Sequence, residues 1–312
     1  MNIPTTVTVL QHAIYSTIAY FSLFEFAPTL VDIQRWLIKN TLHTSPSLSE
    51  IEQAIASDSR IISSAGVYYI LSDSEKNLPS KRKQKYNFTE EKWKRAKRFL
   101  PWLAIMPGVQ AIWFGNSVAW CNAREQSDID LVIISKPGNI WTARFFTTTL
   151  MKLLRQRPHE QEHAKALCLS FYVDADHLNI ETYKVHEQDI HYSFWVTQMY
   201  PLYDSKTENG TFEDYKKENQ WVENEFVFSP WLQPIMKRTI QLRPYQRILQ
   251  KIFSAASFFE STLRRVQLRI MPKKLTGAAA TGSTVVLSDT ILKLHTNDNR
   301  LDIQNRWEAL LQ

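Results

Sequence analysis

Residues 109–135 read VQAIWFGNSVAWCNAREQSDIDLVIIS: an apolar run that stops at a glycine, a polar connection, and a second apolar run carrying two aspartates. Val109, Ile112 and Phe114 fit a buried strand that ends at Gly115. Asn116 and Ser117 are short polar residues suited to a tight turn into a helix. Such a turn offers backbone N–H groups and a hydroxyl to an anion. A second strand over 129–134 opens with Asp128 and Asp130, and side chains two apart on a strand share a face. Adjacent carboxylates repel unless a cation sits between them. Mg²⁺ prefers carboxylate and phosphate oxygens, and paired ions clamp the attacking and leaving oxygens of an in-line displacement. A phosphate turn beside Asp-x-Asp is thus a device for phosphoryl or nucleotidyl transfer, although acidic pairs alone also occur in ordinary turns.

Phe114-Gly115-Asn116-Ser117, followed by Ser127-Asp128-Ile129-Asp130-Leu131, resembles the signature of the nucleotidyltransferase superfamily typified by DNA polymerase beta. That signature is a hydrophobic residue, Gly, Ser, a short helical connection, and Asp-hydrophobic-Asp. The resemblance covers 109–135, and Asn116 separates the usual Gly-Ser. Either Asn116 replaces the serine, or Ser117 takes its role one residue later. The wider chain looks like a group of bacterial proteins with a winged-helix-like segment ahead of this domain and helices after it. The resemblance implies an α/β (α+β) fold with a small mixed sheet as the nucleotidyltransferase core. The expected organisation is a winged-helix-like domain over 1–75, a basic linker and helix over 76–100, the core over 101–186, and a mainly helical region over 187–312. It further implies an NTP at Gly115, Asn116, Ser117 and Ser127, and Mg²⁺ or Mn²⁺ on Asp128 and Asp130. Superfamily members usually carry a third carboxylate on the next strand.

That strand is 166–173, ALCLSFYV. Alternation puts Cys168, Ser170, Tyr172 and Asp174 on one face. Asp174 is the acid in phase, at the strand's end, while Ser170 holds the central position where an acid would serve better. Arg144, in the first turn of a helix over 141–154, is placed to reach a triphosphate, and an ordinary surface arginine would look the same.

At 312 residues, 44% hydrophobic and 12% aromatic, the chain has material for two or three globular domains. No apolar run is long and charge-free enough to span a bilayer, and the N-terminus lacks the basic region of a signal peptide. Cys121 and Cys168 make no disulfide framework or metal spacing, so a cytoplasmic protein is expected. The net charge of +6 is uneven: nine Lys and Arg stand against two Glu over 81–98, and ten against Glu260 over 237–274. Any polyanion contact belongs there.

A helix over 5–24, capping boxes at Thr29 and Ser47, and a hairpin around Ala65-Gly66 suggest a winged helix. Its third helix carries Glu50, Glu52 and Asp58 without Lys or Arg, which argues against sequence-specific DNA binding. A linker is expected over 72–87. The helix of 89–100 offers Lys92, Lys94, Arg95, Lys97 and Arg98 either to RNA or nucleotide phosphates or simply to solvent. Residues 245–270 carry a long apolar stripe with basic flanks, matching a helix packed on the core or lying on a membrane or RNA. Residues 275–283 read as a loop, and His295, Asp298 and Arg300 show no spacing recognised for metal or nucleophilic chemistry. The expected function is metal-dependent transfer of a nucleoside monophosphate from NTP to a small molecule, protein or RNA acceptor. The rival is a weak or inactive relative serving as a nucleotide-binding or protein-interaction module.

Overall fold

The computed structural model describes residues 6–39, 42, 45–156, 166–206, 210–231, 238–253, 258–280, 285–295 and 298–312. Helix α1 (Thr6–Ser22) buries Ile14, Ile18 and Phe21 on one stripe at helical spacing. Both expected capping boxes form. Thr29 opens α2 (Leu30–Arg35) and Ser47 opens α3 (Leu48–Ala56), each cap N–H donating to the carboxylate of Asp32 or Glu50. Strands β1 (Ile61–Ser64) and β2 (Val67–Ile70) pair antiparallel. Their turn residues, Ala65 and Gly66, both have positive φ, which matches the right-handed strand twist.

The expected linker is instead largely helical. After a 3-10 turn (Leu71–Lys76), α4 runs from Leu78 to Ala104, 27 residues and roughly 40 Å. Several of its cations turn inward and find partners. Lys85 Nζ donates to the carbonyls of Phe24 and Glu25 at 2.7 and 2.8 Å, and Arg82 to that of Ala27. Lys92 is fully buried and donates to the carbonyls of Glu125 and Ser127 at 3.0 and 2.6 Å. Arg95 bonds Gln156. Of the five cations offered to RNA, Lys92 and Arg95 are thus engaged by the fold, while Lys94, Lys97 and Arg98 stay exposed.

The remaining elements are β3 (Val109–Phe114), α5 (Asn116–Ala119), β4 (Ile129–Ser135), α6 (Ile140–Leu153), β5 (Leu167–Asp174), α7 (Ile190–Thr197), β6 (Tyr200–Asp204), α8 (Gly210–Glu218), α9 (Pro244–Phe253), α10 (Glu260–Ile270), α11 (Lys273–Ala280), β7 (Val286–Leu287), β8 (Ile291–Lys293) and α12 (Arg300–Leu311). The fold is mixed α/β, around a six-stranded sheet ordered β6-β3-β4-β5-β8-β7 in which β4 and β5 pair parallel and the other pairs antiparallel. Ile112, Phe114, Ile133 and Tyr172 face α4 and α6. Ala111, Trp113, Val132, Ile134 and Phe171 face α7 and α8. Burial on both faces explains the near-continuous apolar reading of β3 and β4.

The region expected to be mainly helical supplies three of the six strands. Pro201 disguised β6; it lies on the sheet's edge, where a missing N–H is tolerated, and there the register with β3 slips. Strands β7 and β8 are too short to show a period. The N-terminal helices share a core with α7 and α12: Tyr20 stacks on Phe194 with ring centroids 4.1 Å apart, and Trp307 Nε1 donates to the Ser16 carbonyl at 2.9 Å.

The stripe of 245–270 divides into α9 and α10, with 254–257 outside the described residues. It faces the other way from a packing stripe: Ile252, Phe259 and Ile270 are exposed, while Gln246 and Gln267 are buried. Gln267 Nε2 donates to the Trp141 carbonyl at 2.8 Å. Of the expected loop, 275–280 is helical within α11, and 281–283 lies outside the described residues. Among the described residues no helix is long and apolar enough to cross a membrane.

Gly108 enters β3 with φ +76°, and a Cβ there would stand 2.9 Å from Ala143 N and Asn139 O. Gly138 has φ +63° but open space around it. Gly108→Ala should therefore destabilise the protein by about 2–3 kcal/mol and Gly138→Ala by about 1 kcal/mol. Urea titrations with unchanged m-values check this, and equal losses would show that the close approach carries no cost.

Candidate active site

The turn after β3 is built by two residues with different tasks. Gly115 is extended and its N–H donates to the Asp130 carbonyl at 3.1 Å, which joins the turn to the start of β4. Asn116 takes a positive φ of 49°, a conformation that asparagine tolerates better than most residues. Its Oδ1 accepts from Trp195 Nε1 at 2.7 Å. An indole nitrogen only donates, so the amide's orientation is set and Nδ2 is the end that bonds the Asp130 carboxyl. Ser117 is half-buried on α5 and lies outside the cavity lining.

The loop ahead of β4 is held from two sides. Lys92 fixes the Glu125 and Ser127 carbonyls from beneath, and Ser127 Oγ closes its own turn by donating to Arg124 O at 2.9 Å. Asp128 leaves this loop beside Asp130. Burial first, and the Asp128 charge second, push the Asp130 carboxyl up to about 7.

Asp130 pairs with Cys168 in the β4–β5 register, and a register shift follows immediately. Cys168 and Ser170 share the half-buried face of β5. Cys168 Sγ donates to Ser170 Oγ at 3.4 Å, and Ser170 Oγ is bonded to His295 Nε2. Burial, then the charges of Asp130 and Asp128, raise the Cys168 thiol pKa. Burial lowers that of His295 despite the opposing Asp128 charge.

Asp130, Gly115, Asn116 and Ser170 line a cavity of about 190 Å³. His191, Tyr192 and Trp195 of α7 also line it, and Lys293, His295 and Arg300 come from the chain's return through β8 to α12. This is less than the roughly 300–1,000 Å³ of pockets that enclose a whole small molecule, so the cavity suits one end of a larger ligand. Burial lowers the His191 pKa to about 4, leaving a neutral ring. Asp298 is half-buried, and against the desolvation its bonds to Arg300 and the Lys293 charge hold its carboxyl well below the usual range.

Of the residues expected at the site, Asp128, Ser117 and Ser127 do not line the cavity, and Asp174 and Arg144 lie elsewhere with other partners. Asp174 is opposite Ser135, five residues along β4 from Asp130, or roughly 17 Å at the rise of a strand. It is buried and accepts from the N–H groups of Gly138 and Asp176 at 2.7 and 3.0 Å, so it closes a turn. It is not a third carboxylate beside Asp128 and Asp130. Arg144 Nη1 donates to Gln267 Oε1 at 2.5 Å and joins α6 to α10. Conversely, Cys168, Trp195, Lys293 and His295 were not foreseen here. The cluster of His295, Asp298 and Arg300 was visible in the sequence, but strand β8 is what carries it to the cavity.

Comparisons with protein-family models, with curated proteins and with solved structures give no match for this chain.

In the folded chain Asp130 keeps its proton to about pH 7, whereas an unfolded aspartate loses it near pH 4. Between those values the native state binds the extra proton, so stability falls as pH rises through this window and stays low above it. Asp130→Asn should accordingly raise Tm at about pH 8 in metal-free buffer and leave it nearly unchanged near pH 4. An equal gain at both would mean that ionisation is not the destabilising factor.

Proposed function

We propose that this chain is a metal-dependent nucleotidyltransferase that moves a nucleoside monophosphate from an NTP to an acceptor. The observation that carries the reading is Asp130, lining a cavity beside the Gly115–Asn116 turn, with the charge of Asp128 bearing on its carboxyl. Asp130 fits a cation on physical grounds: burial and the Asp128 charge disfavour its ionised form, and a bound divalent ion reverses both effects. The chemistry that Mg²⁺ or Mn²⁺ would supply there is neutralisation of phosphate charge.

The chain's own residues supply position and charge. Asp128 and Asp130 would hold the ion, and Asn116, fixed by Trp195, orients the Asp130 carboxyl. The turn of Gly115 and Asn116 lines the phosphate end, with Lys293 and Arg300 on the wall as fixed positive charge. Both cations are already paired, Lys293 with Asp298 and Arg300 with Asp298 and Asp189, so their ammonium and guanidinium groups are held in place in advance. Trp195, stacked on Tyr192, offers an aromatic surface at the cavity's edge. Phosphoryl transfer asks chiefly for this kind of positioning and charge neutralisation.

The N-terminal helices and hairpin fit a winged helix in a packing role. The exposed side of α3 presents Glu50 and Glu52, and the unit's core is shared with α7 and α12.

One observation favours the rival reading, a binding module without turnover. The position facing Asp130 is Cys168, and the cavity's other carboxylate, Asp298, is tied up by Arg300 and Lys293.

Incubation with each labelled NTP and Mg²⁺ separates the two: label appears on protein, RNA or a small molecule if the chain is a transferase. Asp128→Asn with Asp130→Asn should abolish the thermal stabilisation given by MgATP or MgGTP while the circular dichroism spectrum is unchanged. Stabilisation that survives in the double variant would sink the assignment of this site.

A further inference from the structure

The donor atoms around Asp130 are a mixed set. Among the described residues, Asp130, Cys168 and His295 form a group whose carboxylate oxygen, thiol sulfur and ring nitrogen all lie within 4.8 Å of one another. They come from three strands or their ends: β4, β5 directly opposite, and the segment leaving β8. Hard ions such as Mg²⁺ take oxygen donors and seldom a thiolate. Carboxylate, thiolate and imidazole together suit a borderline-soft ion, and three protein ligands with one open position is the arrangement of catalytic zinc sites.

We propose that Asp130, Cys168 and His295 bind a thiophilic divalent transition ion of the Zn²⁺ class, with the cavity supplying its open fourth position. In a tetrahedral zinc site the bonds are about 2.0–2.3 Å and the donors stand roughly 3.3–3.7 Å apart. A set spread within 4.8 Å reaches that by side-chain movements of about 1 Å. Ser170 prepares the site, since its hydroxyl bonds both Cys168 and His295 and so restrains two of the three ligands. Negative charge is concentrated there: Asp130 and Asp128 both bear on the thiol, which a bound cation would convert to thiolate with release of its proton. Asp128 is outside the trio and is left for a cation arriving with a nucleotide. The proposal shares Asp130 with the transferase reading but does not depend on nucleotide.

Co²⁺ is the probe, added to metal-free full-length protein without nucleotide. A thiolate-to-cobalt charge-transfer band should appear at one equivalent and vanish on adding one equivalent of Zn²⁺, while excess Mg²⁺ should leave it intact. Cys168→Ser should remove the band, and His295→Asn should weaken Co²⁺ binding. Losing a neighbour of a ligand commonly costs about 10–100-fold in affinity, so losing the ligand should cost at least ~100-fold. Cys121→Ser should keep the band, because Cys121 lies against Arg238, away from the trio. Circular dichroism confirms that each variant is folded. No band at stoichiometric Co²⁺, a band lost in Cys121→Ser but kept in Cys168→Ser, or displacement by Mg²⁺ as readily as by Zn²⁺ would each overturn the proposal. Label transfer and MgNTP stabilisation are read separately, so a failed transferase reading leaves this result standing, and the reverse.

Discussion

A buried ammonium group underlies the architecture of the site. Lys92 sits inside the protein and donates to the carbonyls of Glu125 and Ser127, the last turns before Asp128. Burying a charge is tolerable only when strong acceptors replace water, and two carbonyls aimed at one Nζ meet that need. The loop of 120–127 has little regular structure of its own, so this contact with α4 governs where β4 begins. Farther along the same helix Lys85 repeats the device on the carbonyls of Phe24 and Glu25, although burial lowers its own pKa to about 8. One long helix thus fastens the N-terminal helices at one end and the aspartate-bearing loop towards the other.

The cavity collects unfavourable electrostatics that the rest of the fold sustains. Asp130 is desolvated beside a second carboxylate, Cys168 lies against both, and His191 is forced neutral by burial. Such a concentration weakens the folded protein, a cost that functional sites commonly carry and that a bound cation would offset. The cationic wall is arranged differently. Arg300 is bound to Asp298, Asp189 and the Tyr183 carbonyl, so its guanidinium is held by the fold before any ligand arrives. A fixed charge needs no reorganisation when phosphate is bound, and that is where preorganised sites gain most.

The sheet's edges explain why the site needs the whole chain. The β3–β4–β5 segment carries the turn and the aspartates but leaves both edges open. Strand β6 covers one edge, and β8 covers the other while delivering Lys293 and His295 to the cavity. Helix α7 brings Trp195, whose indole N–H fixes the amide of Asn116.

Local chemistry made several features legible in the sequence. The capping boxes at Thr29 and Ser47, the Ala65–Gly66 hairpin, and the strands flanking Gly115 and Asp130 all depend on residues within a few positions of one another, so their spacing suffices. Other features were hidden because their partners are distant. Lys85, in an expected linker, and Lys92, on a helix facing solvent or RNA, show their role only when carbonyls 61 and 33 residues away are found to receive them. A proline in β6 reads as a break until the strand proves to be an edge. Alternation put Asp174 in phase with Ser170, but register across the sheet decides which residue faces Asp130, and it is Cys168. Periodicity by itself determined the face; only the packed sheet, through strand order and register, decided the neighbour, because a strand's side-chain period carries no information about how far it slides along its partner.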